Sequence, residues 1–146
     1  MSSTLEDRVR REIEALHEFF VAWFSGAVGR EAFEPRFMAR FSPDLVFIPP
    51  AGTVLGLRDL ASSVRTAHAS NPDFRVAIRR VRIERDLGSH VLATYEEWQR
   101  NALASTPPDN GRVATVLFAR SEPLVWLHIH ETWLPQKAMS AGPYDF

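Results

Sequence analysis

The sequence contains no cysteine at all. A chain without thiols has no disulfide framework, no thiolate nucleophile, no zinc finger and no iron–sulfur cluster. A reducing compartment is the natural environment of such a chain, and we expect a cytoplasmic protein. Its folding must depend on a hydrophobic core, which a chain of 146 residues can build without disulfides or a structural metal.

The sequence also lacks an excess of charge of either sign. Its 17 basic and 18 acidic residues leave a formal net charge of −1, and Lys137 is the only lysine. Arginines cluster within residues 75–85, but acidic residues elsewhere cancel their charge and no nucleic-acid reader motif accompanies them. We therefore expect no nucleic-acid partner and interpret the arginines as a solvated strand face or as intersubunit salt bridges.

No long hydrophobic segment is present. The longest strongly apolar stretch, residues 19–28, is interrupted by Ser25 and Gly26, and it has about half the length that spans a bilayer. The first dozen residues mix acidic and basic side chains, unlike a secretory signal. We expect neither a membrane segment nor a membrane partner.

Aromatic side chains, in contrast, are abundant. They account for 16 of the 146 residues, within an apolar fraction of 45% that is ordinary for a globular protein. They concentrate in the first helical segments and in the late strands. Large rigid rings on two facing walls can fill a core or surround an apolar ligand.

Three helices are predicted in the first half of the chain. The first is expected to begin near Ser3, where Ser3 and Glu6 have the spacing of a capping box, and to end near Gly29. A short second helix is predicted around residues 33–41, and a third over residues 57–70. The apolar residues of the first helix recur every three or four positions and form one stripe: Leu5, Val9, Ile13, Leu16, Phe20, Phe24 and Val28.

The second half is predicted to form long β-strands. Apolar residues alternate over residues 74–78 and then shift by one position to Val81 and Ile83, as a β-bulge near Arg79 and Arg80 would produce. Three further strands are predicted, over residues 90–100, 113–120 and 124–134.

The order of these elements predicts an α+β fold. Helices followed by a meander of strands indicate a strongly curved antiparallel sheet that wraps the three N-terminal helices. A sheet bent in this way forms a cone with an internal pocket. We expect a single domain over residues 1–135, with residues 136–146 as a C-terminal tail.

Three segments carry a likeness to a known family. They are the aromatic-rich first helix, the segment of residues 41–56 with Pro50 and Gly52 between a strand and a helix, and the last strand, residues 126–133, which reads Trp-Leu-His-Ile-His-Glu-Thr-Trp. Their order and spacing resemble the nuclear transport factor 2-like superfamily, the cystatin-like cone, and in particular its small bacterial SnoaL-like members. In the last strand Trp126 and His130 match the family pattern, whereas a threonine stands where a second histidine is common.

The resemblance implies a cone fold and a homodimer built through the sheet, but no single activity. The superfamily includes isomerases, dehydratases, cyclases, transport factors and oligomerisation domains, so fold alone does not give function. Ketosteroid-isomerase-like members carry a catalytic aspartate just before the proline that ends the first strand. Pro49 stands at the matching position and cannot accept a proton, and the first helix has no tyrosine. The resemblance therefore argues against that mechanism here.

The last strand carries the candidate acid or base. Alternation puts Val125, Leu127, Ile129, Glu131 and Trp133 on one face, and Trp126, His128, His130 and Thr132 on the other. The first set begins apolar and should face the helices, which places Glu131 beside Trp133 at the mouth of the cone. A carboxylate there would have a raised pKa and serve as acid or base, or it would pair with a neighbouring arginine.

His128 and His130 share the other face of that strand. Two histidines in this spacing can share a proton transfer or bind a metal, but a metal needs a third ligand, for which the evident donors are His68, His90 and Glu97. We predict no metal and no cofactor. If the histidines face the cavity, the acid/base role passes to them, so His130 is also a catalytic candidate.

Tyr95 and Glu97 repeat, on an earlier strand, the apolar-then-acidic order of Ile129 and Glu131. They share one strand face, so we expect both to line the same pocket, with Tyr95 as a third catalytic candidate. The alternative is aromatic packing with a solvated acid at the strand end. The residues expected to line the ligand pocket are Phe20, Trp23, Phe24, Phe47, Glu97, Trp98, His128 and Trp133.

Two functions fit these patterns. The first is a cofactor-independent acid/base enzyme, of isomerase, dehydratase or cyclase type, that encloses a small apolar molecule. The second is a non-enzymatic ligand-binding or dimerisation module, whose outer sheet face, including Trp126 and His128, is buried against a second copy of the chain.

Overall fold

A long amphipathic helix opens the computed structural model, which describes residues 4–146. Helix α1 (Leu5–Ser25) is capped by Thr4, whose hydroxyl accepts a hydrogen bond of 3.1 Å from a backbone amide of the first turn. The predicted cap, Ser3, lies outside the described residues. Gly26 ends the helix in the left-handed conformation (φ 79°), which favours glycine.

Two shorter helices follow α1. Helix α2 (Phe33–Arg36) lies between two 3₁₀ turns, and helix α3 spans Leu57–Thr66. Helix α3 is shorter than predicted because the chain turns left-handed at Ala69 (φ 57°), whose amide donates to the carbonyl oxygen of Trp23 at 3.0 Å. No helix within residues 4–146 combines the length and the apolar character needed to cross a membrane.

Six strands form one sheet in the order β2-β1-β6-β5-β4-β3. Their bounds are β1 Phe41–Ile48, β2 Leu55–Gly56, β3 Arg75–Asp86, β4 His90–Arg100, β5 Asn110–Ala119 and β6 Val125–Trp133. The helices before the long strands pack on one face, which confirms the α+β class. One detail differs from the prediction: β1 and β6 run parallel, so the sheet is mixed. Alternation within a strand carries no information about the direction of its neighbour.

A β-bulge lies where the alternation of apolar residues shifts by one position in the sequence. The register of β3 against β4 shifts between Arg79 and Arg82, and Arg80 has a left-handed backbone (φ 55°). The predicted bulge is confirmed. An extra residue in one strand bends the sheet locally and increases its twist, which brings the sheet around α1.

Another bulge, which the sequence did not predict, lies in β6. Leu117 pairs with His128 and Phe118 with Trp126, so Leu127 is an extra residue without a partner on β5. The side chain of Trp126 therefore turns to the inner face, where it is fully buried. The prediction that Trp126 lies on the outer sheet face was wrong, because simple alternation does not hold across a bulge.

Aromatic residues form much of the core between α1 and the inner sheet face. Their ring centroids lie 4.7–6.0 Å apart in tilted, stacked and edge-to-face pairs, a spacing at which aromatic pairs stabilise beyond simple burial. The rings concerned are those of Phe19, Trp23, Phe33, Phe37, Phe41, Phe118 and Trp126.

The last residues lie on the outer face of the sheet. They include helix α4 (Gln136–Ala141), after which the ring of Tyr144 packs edge-to-face on Trp98, with centroids 5.6 Å apart. Arg79 of β3 donates to the carbonyl oxygen of Pro143 at 3.2 Å. This segment therefore covers the β3–β4 end of the outer face.

Candidate functional site

A cavity of about 500 Å³ lies between α1, α3 and the inner face of the sheet. Its walls are mainly apolar, and its exposed lining residues mark the opening: Ala51, Ser70, Leu103, Ala104, Thr106 and Trp133. The apolar walls are built by Leu16, Phe20, Phe24, Phe47, Leu60, Val64, Phe74 and Ile129. A volume of this size suits a small molecule, since ligand pockets hold roughly 300–1,000 Å³.

Three neighbouring strands bring polar side chains to one part of the cavity wall. Tyr95, Glu97 and Gln99 alternate along β4, Arg112 comes from β5 and Glu131 from β6. None of the five is more than 9% exposed. Period-two alternation accounts for their common direction, because the neighbouring inward positions on the same strands are core residues.

A chain of hydrogen bonds joins these polar groups. Arg112 donates from Nη1 to Oε1 of Glu131 and from Nη2 to Oε1 of Gln99, each at 3.1 Å. The amide nitrogen of Gln99 donates to Oε2 of Glu97 at 2.6 Å. The Nε2 atom of His17, on α1, lies 3.0 Å from Oε1 of Glu97. The chain thus runs from the helix across three strands and gives each carboxylate one cationic partner.

Some polar atoms of this cluster have no protein partner. Within residues 4–146, neither the Tyr95 hydroxyl nor Oε2 of Glu131 takes part in a hydrogen bond, and the buried Nε of Arg112 also has none. The guanidinium of Arg112 lies over the ring of Trp133, 4.8 Å from its centroid. A hydroxyl and a carboxylate oxygen that both line the cavity are available to a ligand.

The two carboxyl groups titrate in opposite directions. Burial raises the pKa of Glu131 to about 7, and the nearby Glu97 carboxylate adds to the rise, although Arg112 opposes it. Burial also disfavours the charge on Glu97, but His17 and Arg112 outweigh burial and lower the pKa of Glu97. One carboxylate is therefore held ionised, while the other exchanges its proton near neutral pH.

The histidine and the tyrosine are shifted as well. Burial favours neutral His17, but the charge and hydrogen bond of Glu97 outweigh burial and raise the pKa of His17. Burial raises the pKa of Tyr95 well above its ordinary value of 10.0, and the Glu97 and Glu131 carboxylates add to the rise. The Tyr95 hydroxyl therefore keeps its proton at neutral pH and is a hydrogen-bond donor.

Seven of the residues predicted for the site line the cavity. They are Phe20, Phe24, Phe47, Tyr95, Glu97, Glu131 and Trp133. The alternative considered for Glu131, an ion pair with a neighbouring arginine, is also present, as the contact with Arg112 shows. The alternative of a solvated acid does not describe Glu97, which is 6% exposed.

Four predicted residues lie elsewhere. Trp23 is buried behind the lining, where its indole donates to the carbonyl oxygen of Val64 at 2.6 Å. Trp98 alternates with Glu97 and so faces outward. His128 and His130 also lie on the outer face, with ring centroids 6.5 Å apart. The condition under which the acid/base role would pass to these histidines is not met.

The described part of the chain shows no cluster of side chains suited to binding a metal ion. Within residues 4–146, no three His, Asp or Glu side chains are grouped so that they could hold a metal ion.

Sequence reasoning missed His17, Gln99 and Arg112. A signal for His17 was present, since it lies four residues after Ile13 on the apolar stripe of α1, and a titratable group on a buried stripe needs a partner. Arg112 lies on the same strand face as Ala114, Val116 and Phe118, all fully buried. The alternation along this strand could have indicated that Arg112 points inward.

Several solved structures share this architecture. A nuclear transport factor 2-like protein of unknown function from Pseudomonas aeruginosa is 26% identical, with a TM-score of 0.77 over 88% of this chain and 99% of that chain. The CaMKII hub of S. rosetta is 8% identical, with a TM-score of 0.70 over 92% and 100%. A ketosteroid-isomerase-like protein of Shewanella frigidimarina is 12% identical, with a TM-score of 0.61 over 86% and 94%.

The fold and its internal cavity define a cystatin-like cone. The chain has the fold of the nuclear transport factor 2-like superfamily, as the resemblance of its helix and strand segments implied. No family model matches the chain. Sucrose-phosphatase 1 of Nicotiana tabacum is 25% identical over 138 residues, which cover 88% of this chain and 31% of that protein. The chain thus spans about a third of the length of the curated relative it matches.

Proposed function

We propose that the protein binds a small, largely apolar molecule in the cavity and carries out acid/base chemistry on it, without a cofactor. The observation that supports this most is the pairing of Tyr95 and Glu131, each with an oxygen that no described residue engages, at the polar part of an otherwise apolar cavity. A pocket with few polar groups among apolar walls is typical of a small-molecule site.

Each of the two groups has a separate role in this proposal. Burial raises the pKa of Glu131 to about 7, so this group carries a proton below that pH and can accept one above it. Tyr95 stays protonated and donates a hydrogen bond to an oxygen on which negative charge develops. The site would take a proton from the substrate and return it to another atom of the same molecule in an isomerase or a cyclase. In a dehydratase the proton would go to the departing hydroxyl group, which leaves as water.

The likeness to a ketosteroid-isomerase-like protein supports the reaction class at the level of fold only. Pro49 lines the cavity at the position where the resemblance expects an aspartate. The carboxyl group proposed here is instead that of Glu131, on β6. We therefore propose a proton transfer with a different set of groups on a shared fold.

Native mass spectrometry and calorimetry with a panel of small apolar carbonyl compounds test this proposal. Binding of at least one compound is expected, with affinity reduced about tenfold by Tyr95→Phe, because the phenol no longer donates a hydrogen bond. For a compound that is turned over, Glu131→Gln is expected to lower kcat at least about a hundredfold. The matched control is His130→Gln on the outer face, which should change neither quantity.

Two results would contradict the proposal. One is the absence of any bound compound across the panel, with the cavity still formed as judged by unchanged amide spectra. The other is binding that Tyr95→Phe and His130→Gln affect equally. Binding without turnover, in contrast, would favour the ligand-binding module over the enzyme.

We also propose self-association through the outer sheet face. Partly exposed apolar side chains occupy outward positions on β1, β5 and β4, and β6 lies between β1 and β5. They are Val46, Ile48, Leu92, Val113 and Leu117, with His128 beside them on β6. The similar CaMKII hub is by its name an assembly domain, which supports this proposal. Trp126 takes no part, since it is buried in the core.

Sedimentation equilibrium between about 1 and 100 µM tests the dimer, a range in which interfaces of moderate size associate. Leu117→Lys should shift the protein to monomer, whereas Leu87→Lys, on an exposed turn, should leave the association unchanged. A wild-type protein that stays monomeric at the highest concentration would refute the outer-face dimer.

A further inference from the structure

His17 is held between two hydrogen-bond acceptors. Its Nδ1 lies 2.7 Å from the carbonyl oxygen of Ile13, and its Nε2 lies 3.0 Å from Oε1 of Glu97. A carbonyl oxygen only accepts, so Nδ1 must carry a proton. Since a carboxylate also only accepts, Nε2 must carry one too when Glu97 is ionised. Because the pKa of Glu97 is lowered, Glu97 is ionised at neutral pH and the two groups form an imidazolium–carboxylate pair.

The ring of His17 has little freedom to leave this arrangement. It packs edge-on against Phe20 and Tyr95, with centroids 5.6 and 5.8 Å away. Its side chain is 5% exposed and that of Glu97 is 7% exposed. A pair so buried is screened little by solvent, and the positions of both groups are set by α1 and β4.

Among residues 4–146, two cations contact the two buried carboxyl groups. Glu97 has His17 on one oxygen and the Gln99 amide on the other. Glu131 has one hydrogen bond from Arg112, and the second terminal nitrogen of that guanidinium is engaged by Gln99 and Asn110. Glu97 is thus the better stabilised carboxylate, and its charge opposes ionisation of Glu131.

We propose that His17 is a positioning residue that fixes the negative charge on Glu97 and so leaves Glu131 as the carboxyl group that exchanges a proton with a ligand. The proton exchange between Glu131 and a ligand rests on the proposed function, but the assignment of the negative charge to Glu97 does not. The groups that face Glu131 are Arg112 from β5, Tyr95 and Glu97 from β4, and His17 from α1. The shifts in the pKa values of both carboxyl groups agree with this assignment.

Carbon-13 NMR of glutamate-labelled, ligand-free protein tests the assignment directly. The carboxyl resonances are identified with Glu97→Gln and Glu131→Gln and followed from pH 4 to 9. In the wild-type protein the Glu131 resonance should titrate near pH 7, where burial and Glu97 place its pKa, and the Glu97 resonance should stay constant.

The decisive variant is His17→Gln, which keeps a hydrogen-bond donor but removes the cation. We expect the Glu97 resonance to begin titrating within the range. Because protonated Glu97 no longer opposes ionisation of Glu131, and this outweighs the smaller loss of the His17 charge, the Glu131 midpoint should fall by about one pH unit, a tenfold change in its acid constant. Glu14→Gln, three residues earlier on α1, is the matched control and should move the midpoint by less than about 0.3. Unchanged titrations of both resonances in a folded His17→Gln protein would overturn the proposal.

Glu97→Gln provides a second test if His17→Gln does not fold. Removal of the Glu97 charge should also lower the Glu131 midpoint by at least about one pH unit, and a midpoint that stays near 7 would overturn the proposal equally. The titrations use no ligand, so failure to find a ligand refutes the proposed function alone. A confirmed ligand with an unmoved Glu131 midpoint refutes this inference alone.

Discussion

The indole nitrogen of Trp126 donates a hydrogen bond of 3.1 Å to Oε2 of Glu12, which joins β6 to α1 across 114 positions of the sequence. The same Glu12 oxygen also accepts from Arg40, just before β1. One carboxylate therefore connects the first helix to two strands that run parallel in the sheet.

Replacement of Trp126 by phenylalanine should destabilise the fold by about 1–2 kcal/mol, because the ring stays but the donor to a charged acceptor is lost. Urea denaturation measures the difference. Trp133→Phe, at a side chain that is 36% exposed, is the control and should cost less than about 0.5 kcal/mol. An effect of Trp126→Phe that appears only at concentrations where the protein associates would instead place Trp126 in an interface.

Removal of the Arg112 guanidinium should be the more severe change. Arg112→Met leaves Glu131 and Gln99 without their donor, and breaking a buried ion pair from one side costs about 3–5 kcal/mol. Arg80→Met is the matched control, since its contact with Glu96 is 3.7 Å long and Arg80 is 79% exposed; it should change the free energy of unfolding by less than about 0.5 kcal/mol. Equal effects of the two substitutions would show that the buried network contributes little.

The stability of Glu131→Gln relative to the wild-type protein should depend on pH. The folded pKa of about 7 lies above the ordinary 4.5, so the folded state binds the proton more tightly than the unfolded state. The corresponding stabilisation is complete below pH 4.5 and is lost as the pH rises through 7. Glutamine carries no charge at any pH, so the free energy of unfolding of the variant relative to the wild type should rise by about 3 kcal/mol between pH 4.5 and pH 8.

Thermal and urea unfolding at pH 4.5, 6 and 8 measure this difference. Glu122→Gln, on an exposed turn, is the control and should show no trend with pH. A difference between Glu131→Gln and wild type that stays constant from pH 4.5 to 8 would contradict the raised pKa of Glu131.

Loss of the Tyr144 ring should expose Trp98 without opening the core. The edge-to-face pair is worth about 0.5–1.5 kcal/mol, so Tyr144→Ala should lower stability by that amount. In a proton–nitrogen NMR spectrum the indole signal of Trp98 should move while that of Trp23 stays in place. Lys137→Ala on α4 is the control, and a static Trp98 signal in Tyr144→Ala would mean that the last residues do not pack there in solution.

The sequence predicted those features that a local pattern encodes. The phase slip at Arg79 and Arg80 located one bulge, and alternation on β4 and β6 turned Tyr95, Glu97 and Glu131 to one side. Helix α1 followed from its apolar stripe. These signals are reliable because one-sided burial acts on every second strand residue and on every third or fourth helix residue.

Features that join distant segments had no such signal. The contact of His17 with Glu97 spans 80 positions, and no local period reports it. The bulge at Leu127 was invisible because Val125, Trp126 and Leu127 are all apolar, so no change of phase marks the extra residue. The parallel pairing of β1 with β6 depends on how the chain returns, which the strand pattern does not contain.

The extra residue in β6 determines which side chains of that strand face the cavity. If Leu127 were instead paired with Leu117 in a strand without a bulge, every later residue of β6 would move by one position relative to β5. If Trp126 kept its place in the core, His128, His130 and Thr132 would turn inward, and Glu131 would turn outward to the solvent. The one-residue bulge thus decides whether β6 presents a carboxyl group or a histidine pair to the cavity of the same scaffold.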